Sequence, residues 1–266
     1  MISAQQVWLE YQLDNDRDDD LKRWRGDIAS GDFLMWKTLL KSGHIPDITQ
    51  MLQNHQQSPE LSCTYHNRHN RTRWRRAEDL IIKHTKPGDV VVDIGAGSHA
   101  TVVQQLLRSA PDRHYVICDL TSPLLLAYYN VGQHHDVKYV NMRDFHPGDM
   151  KKSMRDLIHG TKCLLIPHHL SYMLYHLPKR STFYNSYSMS EMSDNERDEY
   201  LDIISVNQGK LISENYWSHS STMSCHLCNT EVTPLEPSIP GHMSCTYRRD
   251  PHVPTNPGAK IVVYEP

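Results

Sequence analysis

No stretch of this 266-residue sequence approaches the roughly 18 consecutive apolar residues of a membrane-spanning helix. The first residues lack the charged-then-apolar layout of a secretory signal. Gln5, Gln6, Glu10 and the acidic cluster from Asp14 to Asp20 break any such run. A cytoplasmic, reducing location is therefore expected. Neither sign of charge is in large excess: 28 Lys and Arg against 31 Asp and Glu give a net charge of −3. Duplex-binding proteins usually carry a clear basic surplus, so bulk nucleic-acid binding is disfavoured. Cysteine is sparse, with Cys63, Cys118, Cys163, Cys225, Cys228 and Cys245. In a reducing compartment these read as free thiols or metal ligands before disulfides. No internal repeat and no low-complexity tract is present, which argues against solenoids and linker-rich arrays.

What is present is a globular composition, 38% hydrophobic and 22% charged. The length suits one large α/β domain with extensions, or two small domains. Residues 1–65 read as a helical N-terminal extension, with Trp8, Leu13, Leu21 and Trp24 as apolar anchors and Phe33, Trp36, Leu39 and Leu40 at helical spacing. Residues 66–266 read as the main domain. It opens on a basic helix containing Arg68, Arg71, Arg73, Arg75 and Arg76, with Trp74, Ala77 and Ile81 on the opposite face. Those arginines fit either a solvated helix face or contact with an anionic substrate.

From Val90 the pattern changes to strand–helix alternation. Val90–Ile94 is a short, almost fully apolar run suited to a strand covered on both faces; Tyr115–Cys118, Cys163–Ile166, Thr182–Tyr187 and Lys210–Ser213 continue the alternation as strands, and Val137–Val140 fits either a third strand or an edge extension. Helices are predicted through Val102–Leu107, from Pro123 onward, and from a Ser193/Glu196 capping box to Gly209. Two late strands, Met243–Tyr247 and Ile261–Tyr264, suggest a closing antiparallel pair. The predicted fold class is α/β: a doubly wound, mainly parallel, Rossmann-like sheet with a late antiparallel strand pair.

The chemistry-bearing stretch is Val90-Val91-Val92-Asp93-Ile94-Gly95-Ala96-Gly97-Ser98. A strand runs into a Gly-x-Gly turn that opens a helix, whose first N–H groups are free to meet a ligand. Dinucleotide sites share this turn. Three details favour S-adenosylmethionine (SAM) instead. Asp93 precedes the first glycine, where it can organise the amino-acid end of the cofactor. Ala100 occupies the place of a third dinucleotide glycine, with His99 adding bulk. Asp119 ends the second strand, where a carboxylate can accept both ribose hydroxyls, although that feature suits NAD equally.

These residues resemble motif I of class I SAM-dependent methyltransferases. Four stretches in order resemble more specifically the sugar O-methyltransferases of glycan-building gene sets. They are the Gly loop, Tyr115-Val116-Ile117-Cys118-Asp119-Leu120, Tyr184-Asn185-Ser186-Tyr187-Ser188-Met189-Ser190-Glu191-Met192, and Ser213-Glu214-Asn215-Tyr216-Trp217. The likeness spans about residues 88–217. It implies methyl transfer from SAM to a hydroxyl of a sugar or glycoconjugate. His99 departs from the family, where a glycine is common.

On this reading Asp93, Gly95, Ala96, Gly97, Ser98, Asp119, Leu120 and Pro167 bind the cofactor. Asn185, Ser188, His169, Glu214 and Asn215 line the acceptor side. The general base is Glu191 or His168, with Glu191 favoured because its block is the more specific part of the resemblance. Glu214 and His169 are next in line. Other readings stay open: methylation of another small-molecule hydroxyl or amine, or a non-catalytic binding module on a degenerate SAM fold. In the tail, Cys225, Cys228, His242 and Cys245 form C-x2-C-x13-H-x2-C, a spacing close to structural zinc sites. Incidental cysteines in a late β region are the alternative. For a divalent ion, only Asp144 and Asp149 offer themselves, and they form no convincing cluster.

Overall fold

The computed structural model describes residues 64–97, 100–132, 134–140, 144–146, 148–216, 235, 238–249 and 259–266. The predicted extension therefore lies almost wholly outside the described residues, as do Ser98, Cys225 and Cys228. Helix α1 (Thr64–His84) begins just before the predicted boundary at residue 66 and runs through it. Its inward face is Ala77 and Ile81, with Trp74 and Leu80 packed at the margin, while Arg75 is exposed.

Strand β1 (Val90–Ile94) is buried at every position, which explains its run of apolar residues, broken only by Asp93, rather than an alternating pattern. Helix α2 (Thr101–Ser109) buries Val102, Val103, Leu106 and Leu107, the four residues that the helical period selects. There follow β2 (His114–Asp119), α3 (Thr121–Gly132) and β3 (Val137–Tyr139), then α4 (Met150–Gly160) and β4 (Cys163–Pro167). The chain continues through a 3-10 helix (His168–His176), β5 (Thr182–Ser186) and a single turn α5 (Ser188–Glu191). It closes with α6 (Asp194–Val206), β6 (Lys210–Tyr216), β7 (Ser244–Arg249) and β8 (Ala259–Glu265).

The eight strands form one sheet in the order β3-β4-β2-β1-β5-β6-β8-β7. All pairings are parallel except β6 with β8 and β7 with β8. This is the doubly wound, mainly parallel sheet that the sequence predicts, with its late antiparallel pair. Strand β3 is one edge, outside β4, and β7 is the other. One face of the sheet packs Val92, Ile94, Val116 and Leu164 against α4, the 3-10 helix and α6. The other packs Val91, Tyr115, Ile117 and Leu165 against α1, α2 and α3. Both faces are thus covered, as an all-buried parallel sheet requires.

Helix α4 is not legible in the apolar pattern because only Met154 and Ile158, with Ser153, are buried along it. Its start is fixed by Asp149, whose side chain accepts the Lys152 amide at 2.9 Å. Asp149 is therefore an N-cap, and Asp144 pairs with Lys138 at 2.8 Å. Among the described residues no group of three or more His, Cys, Asp or Glu is placed to hold a metal ion. No helix among them is long and apolar enough to cross a membrane.

Candidate functional site

The chain order reverses direction at β1, which lies between β2 on one side and β5 on the other. In open parallel sheets such a switch point leaves a crevice at the carboxyl ends of the strands. Register fixes what stands there. Asp119 pairs with Pro167, Ile94 pairs with both Cys118 and Asn185, and Ser186 pairs with Glu214. Pro167, Asp119, Gly95, Ser186 and Glu214 consequently form one row across β4, β2, β1, β5 and β6. Four of these stretches reach the same edge because β4, β2, β1 and β5 end in step, while β6 runs on past Glu214 to Tyr216 beside β8.

The Gly turn sits at the centre of this row. Gly95 (φ 70°) and Gly97 (φ 69°) both adopt the left-handed region that favours glycine. The Gly95 amide donates to the Cys118 carbonyl at 2.8 Å, tying the turn to β2. The Gly97 amide donates to Asp119 Oδ2 at 2.7 Å, and the Leu120 amide donates to Asp119 Oδ1 at 2.7 Å. Asp119 is thus buried at the edge of the crevice with both oxygens aimed at backbone donors of the two loops that frame it. Ala96 packs at the margin of the α2-side core. Asp93 is buried one position before the end of β1. Burial, and next the Asp93 charge, push the Cys163 thiol far up, so this cysteine is an inert core residue.

At the end of β4, His168 is buried and both ring nitrogens are engaged. Nε2 meets Glu196 Oε1 at 2.8 Å and Nδ1 meets the Tyr200 hydroxyl at 2.9 Å. Tyr200 in turn lies 3.2 Å from Cys118 Sγ. Burial above all, then the neighbouring Cys118, hold the Tyr200 hydroxyl protonated. The sequence offered Glu196 only as half of a capping box. That box is present, with Glu196 Oε2 facing Ser193, but the other oxygen of Glu196 serves His168. Tyr200 read simply as an apolar position of α6. These partners were missed because residues 28 and 32 positions away give no local signal.

His168→Ala should leave the half-buried Glu196 carboxylate and the buried Tyr200 hydroxyl each short of a partner. Removing one partner of a charged, buried hydrogen bond costs about 1–3 kcal/mol, so the variant should melt lower. Tyr200→Phe should lose less, because it removes a neutral partner. Equal melting of His168→Ala and the parent protein would exclude this anchoring role. His169 follows, half-buried in the 3-10 helix.

The Asn185–Glu191 block lies at the end of β5, as expected. Asn185 and Ser188 are buried, and so is Asn215 on β6. Asn185 Nδ2 donates to the Ile94 carbonyl at 2.6 Å and also to Ser188 Oγ, while Ser188 Oγ donates to the same carbonyl at 2.9 Å. Asn185 Oδ1 accepts from the Met189 amide at 3.1 Å and from Asn215 Nδ2 at 2.7 Å. Asn215 Nδ2 reaches Ser213 Oγ at 2.6 Å, and its Oδ1 accepts from the Ser190 amide and hydroxyl at 3.2 and 3.0 Å. Both amide side chains are thereby oriented by backbone donors, and each of their polar groups makes two bonds.

Beyond this knot stand Ser186, Tyr187 and Glu214. Tyr187 holds φ at 67°, a left-handed conformation costing a tyrosine roughly 1–3 kcal/mol. It is held there by its amide, which donates to the Glu214 carbonyl at 2.8 Å, and by the Ser190 amide, which donates to its own carbonyl at 3.1 Å. The Glu214 carboxylate is buried, with the Ser186 hydroxyl at 3.4 Å and the Tyr187 hydroxyl at 3.5 Å. Tyr187 was not among the residues that the sequence singled out. Glu191 closes the turn α5. His242 and Cys245, the described half of the proposed zinc set, are both exposed, just before and within β7.

No protein-family profile matches the chain, and no curated protein matches it. Among solved structures, the chain is similar to the pyocyanin biosynthetic protein PhzM at 15% identity and a TM-score of 0.49, over 92% of this chain and 72% of that one. It is similar to an O-methyltransferase family protein from Burkholderia thailandensis at 13% identity and a TM-score of 0.48, over 100% of this chain and 73% of that one. It is also similar to the mitomycin 7-O-methyltransferase MmcR at 11% identity and a TM-score of 0.44, over 80% of this chain. The match spans 60% of the length of MmcR.

Proposed function

We infer that the chain is a SAM-dependent O-methyltransferase whose acceptor is a hydroxyl of a sugar or glycoconjugate. The observation that carries the cofactor reading is the Asp119–Gly97 contact: a carboxylate ends the strand next to β1 and bonds the Gly turn that ends β1. A carboxylate offers about four lone-pair sites, so ribose hydroxyls can share the group with backbone amides. A Cβ built on Gly97 would meet nothing within 4 Å, so a ligand can approach the backbone there. Asp93, Gly95, Ala96, Ser98, Leu120 and Pro167 complete the cofactor side of the proposal.

When bound, SAM supplies an electrophilic methyl group on a sulfonium. The chain's own task is to align the acceptor oxygen and take its proton, and alignment is mostly proximity and orientation. On the acceptor side stand Glu214, Ser186 and Tyr187 at the β5–β6 end, with Glu191 shortly after them in sequence, while His169 follows β4 on the other side of β1. A sugar hydroxyl is a weak acid, so a carboxylate base contributes. Glu214 has the best position for it, in the row one strand beyond Ser186. Glu191 is the second candidate. His168 is better assigned to anchoring, since Glu196 and Tyr200 take its two nitrogens.

The sugar acceptor rests on the Asn185–Met192 block and its order after the Gly loop. Purified protein should produce S-adenosylhomocysteine when given SAM and members of a glycan panel, and none with SAM alone. Turnover only with non-carbohydrate phenols or amines would keep the methyltransferase and discard the sugar. Retention of RNA without any turnover would favour the non-catalytic reading.

A further inference from the structure

The two glycines of the turn face different surroundings, and the difference assigns them different roles. A Cβ on Gly97 would enter open space. A Cβ on Gly95 would fall well inside contact with both Oγ and Cβ of Ser188, with Asn185 Nδ2 next nearest at 3.9 Å. Ser188 is not a loose neighbour that could move aside. Its Oγ donates to the Ile94 carbonyl at 2.9 Å and accepts from Asn185 Nδ2. Asn185 is itself fixed by Ile94, Met189 and Asn215. The hydroxyl therefore grips the last carbonyl of β1 from the side, while the Cα of Gly95 lies against its Cβ.

We propose that Ser188, held by Asn185 and Asn215, is a positioning residue for the cofactor turn: it sets the path of Gly95 from below, and Gly95 must be glycine because of Ser188 as well as its left-handed φ, rather than because of the ligand. The specific block at the end of β5 thus serves the Gly loop as well as the acceptor side. This rests on the SAM reading for its affinity measurement alone, because the packing of Ser188 on Gly95 exists without a ligand.

The test is a suppressor series on the full chain, read by thermal melting and by SAM titration calorimetry. Gly95→Ala should melt lower and bind SAM at least tenfold more weakly. Ser188→Gly removes both clashing atoms, so Gly95→Ala combined with Ser188→Gly should recover the part of that loss that exceeds the loss in Gly97→Ala, whose φ is equally left-handed but whose Cβ would meet nothing. Ser188→Ala keeps the Cβ, so its combination with Gly95→Ala should not recover. Gly97→Ala should show no coupling to Ser188→Gly in either measurement. If Gly95→Ala alone does not fold, a folded Gly95→Ala/Ser188→Gly protein is the recovery. The proposal is overturned if that double variant is no better than Gly95→Ala, if Ser188→Ala rescues equally, or if Gly97→Ala is rescued too. Should the parent protein bind no SAM, the cofactor reading falls and the melting series still decides the coupling.

Discussion

Glu214→Gln is expected to lower kcat by about 100-fold while leaving SAM affinity within about threefold, the signature of a lost proton acceptor rather than a lost binding contact. The substitution keeps shape and hydrogen-bonding reach to Ser186 and Tyr187, so folding should be preserved and the melting temperature close to that of the parent. Glu191→Gln, measured alongside at saturating SAM, should retain more than a tenth of the parent kcat. The opposite ranking would move the base to Glu191, and tenfold or smaller losses in both would remove the base from this end of the sheet. Tyr187→Phe gives a finer reading. If the strained Tyr187 presents its hydroxyl to the acceptor, the variant should raise the acceptor KM with little change in SAM affinity.

The second large effect concerns Asp119. Removal of its carboxylate takes away the bond to the Gly97 amide and both proposed ribose contacts. Each hydrogen bond to a charged group is worth roughly 1.5–3 kcal/mol, so Asp119→Ala should weaken SAM binding by roughly 100-fold at the lower end of that range. Asp119→Asn separates the two parts of the effect. It retains one acceptor for a backbone amide but loses the negative charge, and should fall between the parent and Asp119→Ala. Calorimetry showing parent-like affinity in a folded Asp119→Ala protein would refute the cofactor assignment. The His168 anchor predicts a different profile for its own variants: stability falls first, and kcat per folded molecule changes less.

The two sets of variants separate because the site has two kinds of polar residue. Asp119 and Glu214 stand in the row at the carboxyl side of the sheet, where the proposed ligands would meet them. Asn185, Ser188, Asn215 and His168 stand beside or beneath that row with their hydrogen bonds made inside the protein. A buried polar group without a partner costs about 1–3 kcal/mol, so each of these four is bonded to the chain wherever it could not be solvated. Variants of the first kind should change ligand affinity or rate, and variants of the second kind should change stability and the geometry of the Gly turn together.

Much of the fold was legible in the sequence because its signals are local. A run such as Val90–Ile94, apolar at every position but Asp93, suits a strand covered on both faces once turn residues bound it so closely. Ser193 and Glu196 announced the start of α6 three residues apart, and the structure contains that capping box. Helix α4 escaped because its buried stripe is too thin to stand out among Lys151, Lys152, Arg155 and Asp156. The Gly turn and Asp119 were recognisable because strand, turn and acidic strand end follow in fixed order within one unit.

The tertiary structure decided how those local pieces are used. The sequence left Val137–Val140 open as a third strand or an edge extension and gave no indication that β4 would be the neighbour of β2, since parallel strands are placed by long crossovers and by the packing of their faces. Sequence pattern placed Asn185, Ser188 and Asn215 near the acceptor, and the fold joins them to one another and to the Ile94 carbonyl through bonds spanning up to 94 positions. It likewise places Glu196 and Tyr200 on the two nitrogens of His168. Residue type and local period determine which segments are strands, helices and turns. Which side chains meet across the sheet, and hence whether a polar residue faces a ligand or another residue, depends on register and strand order, which only the folded chain supplies.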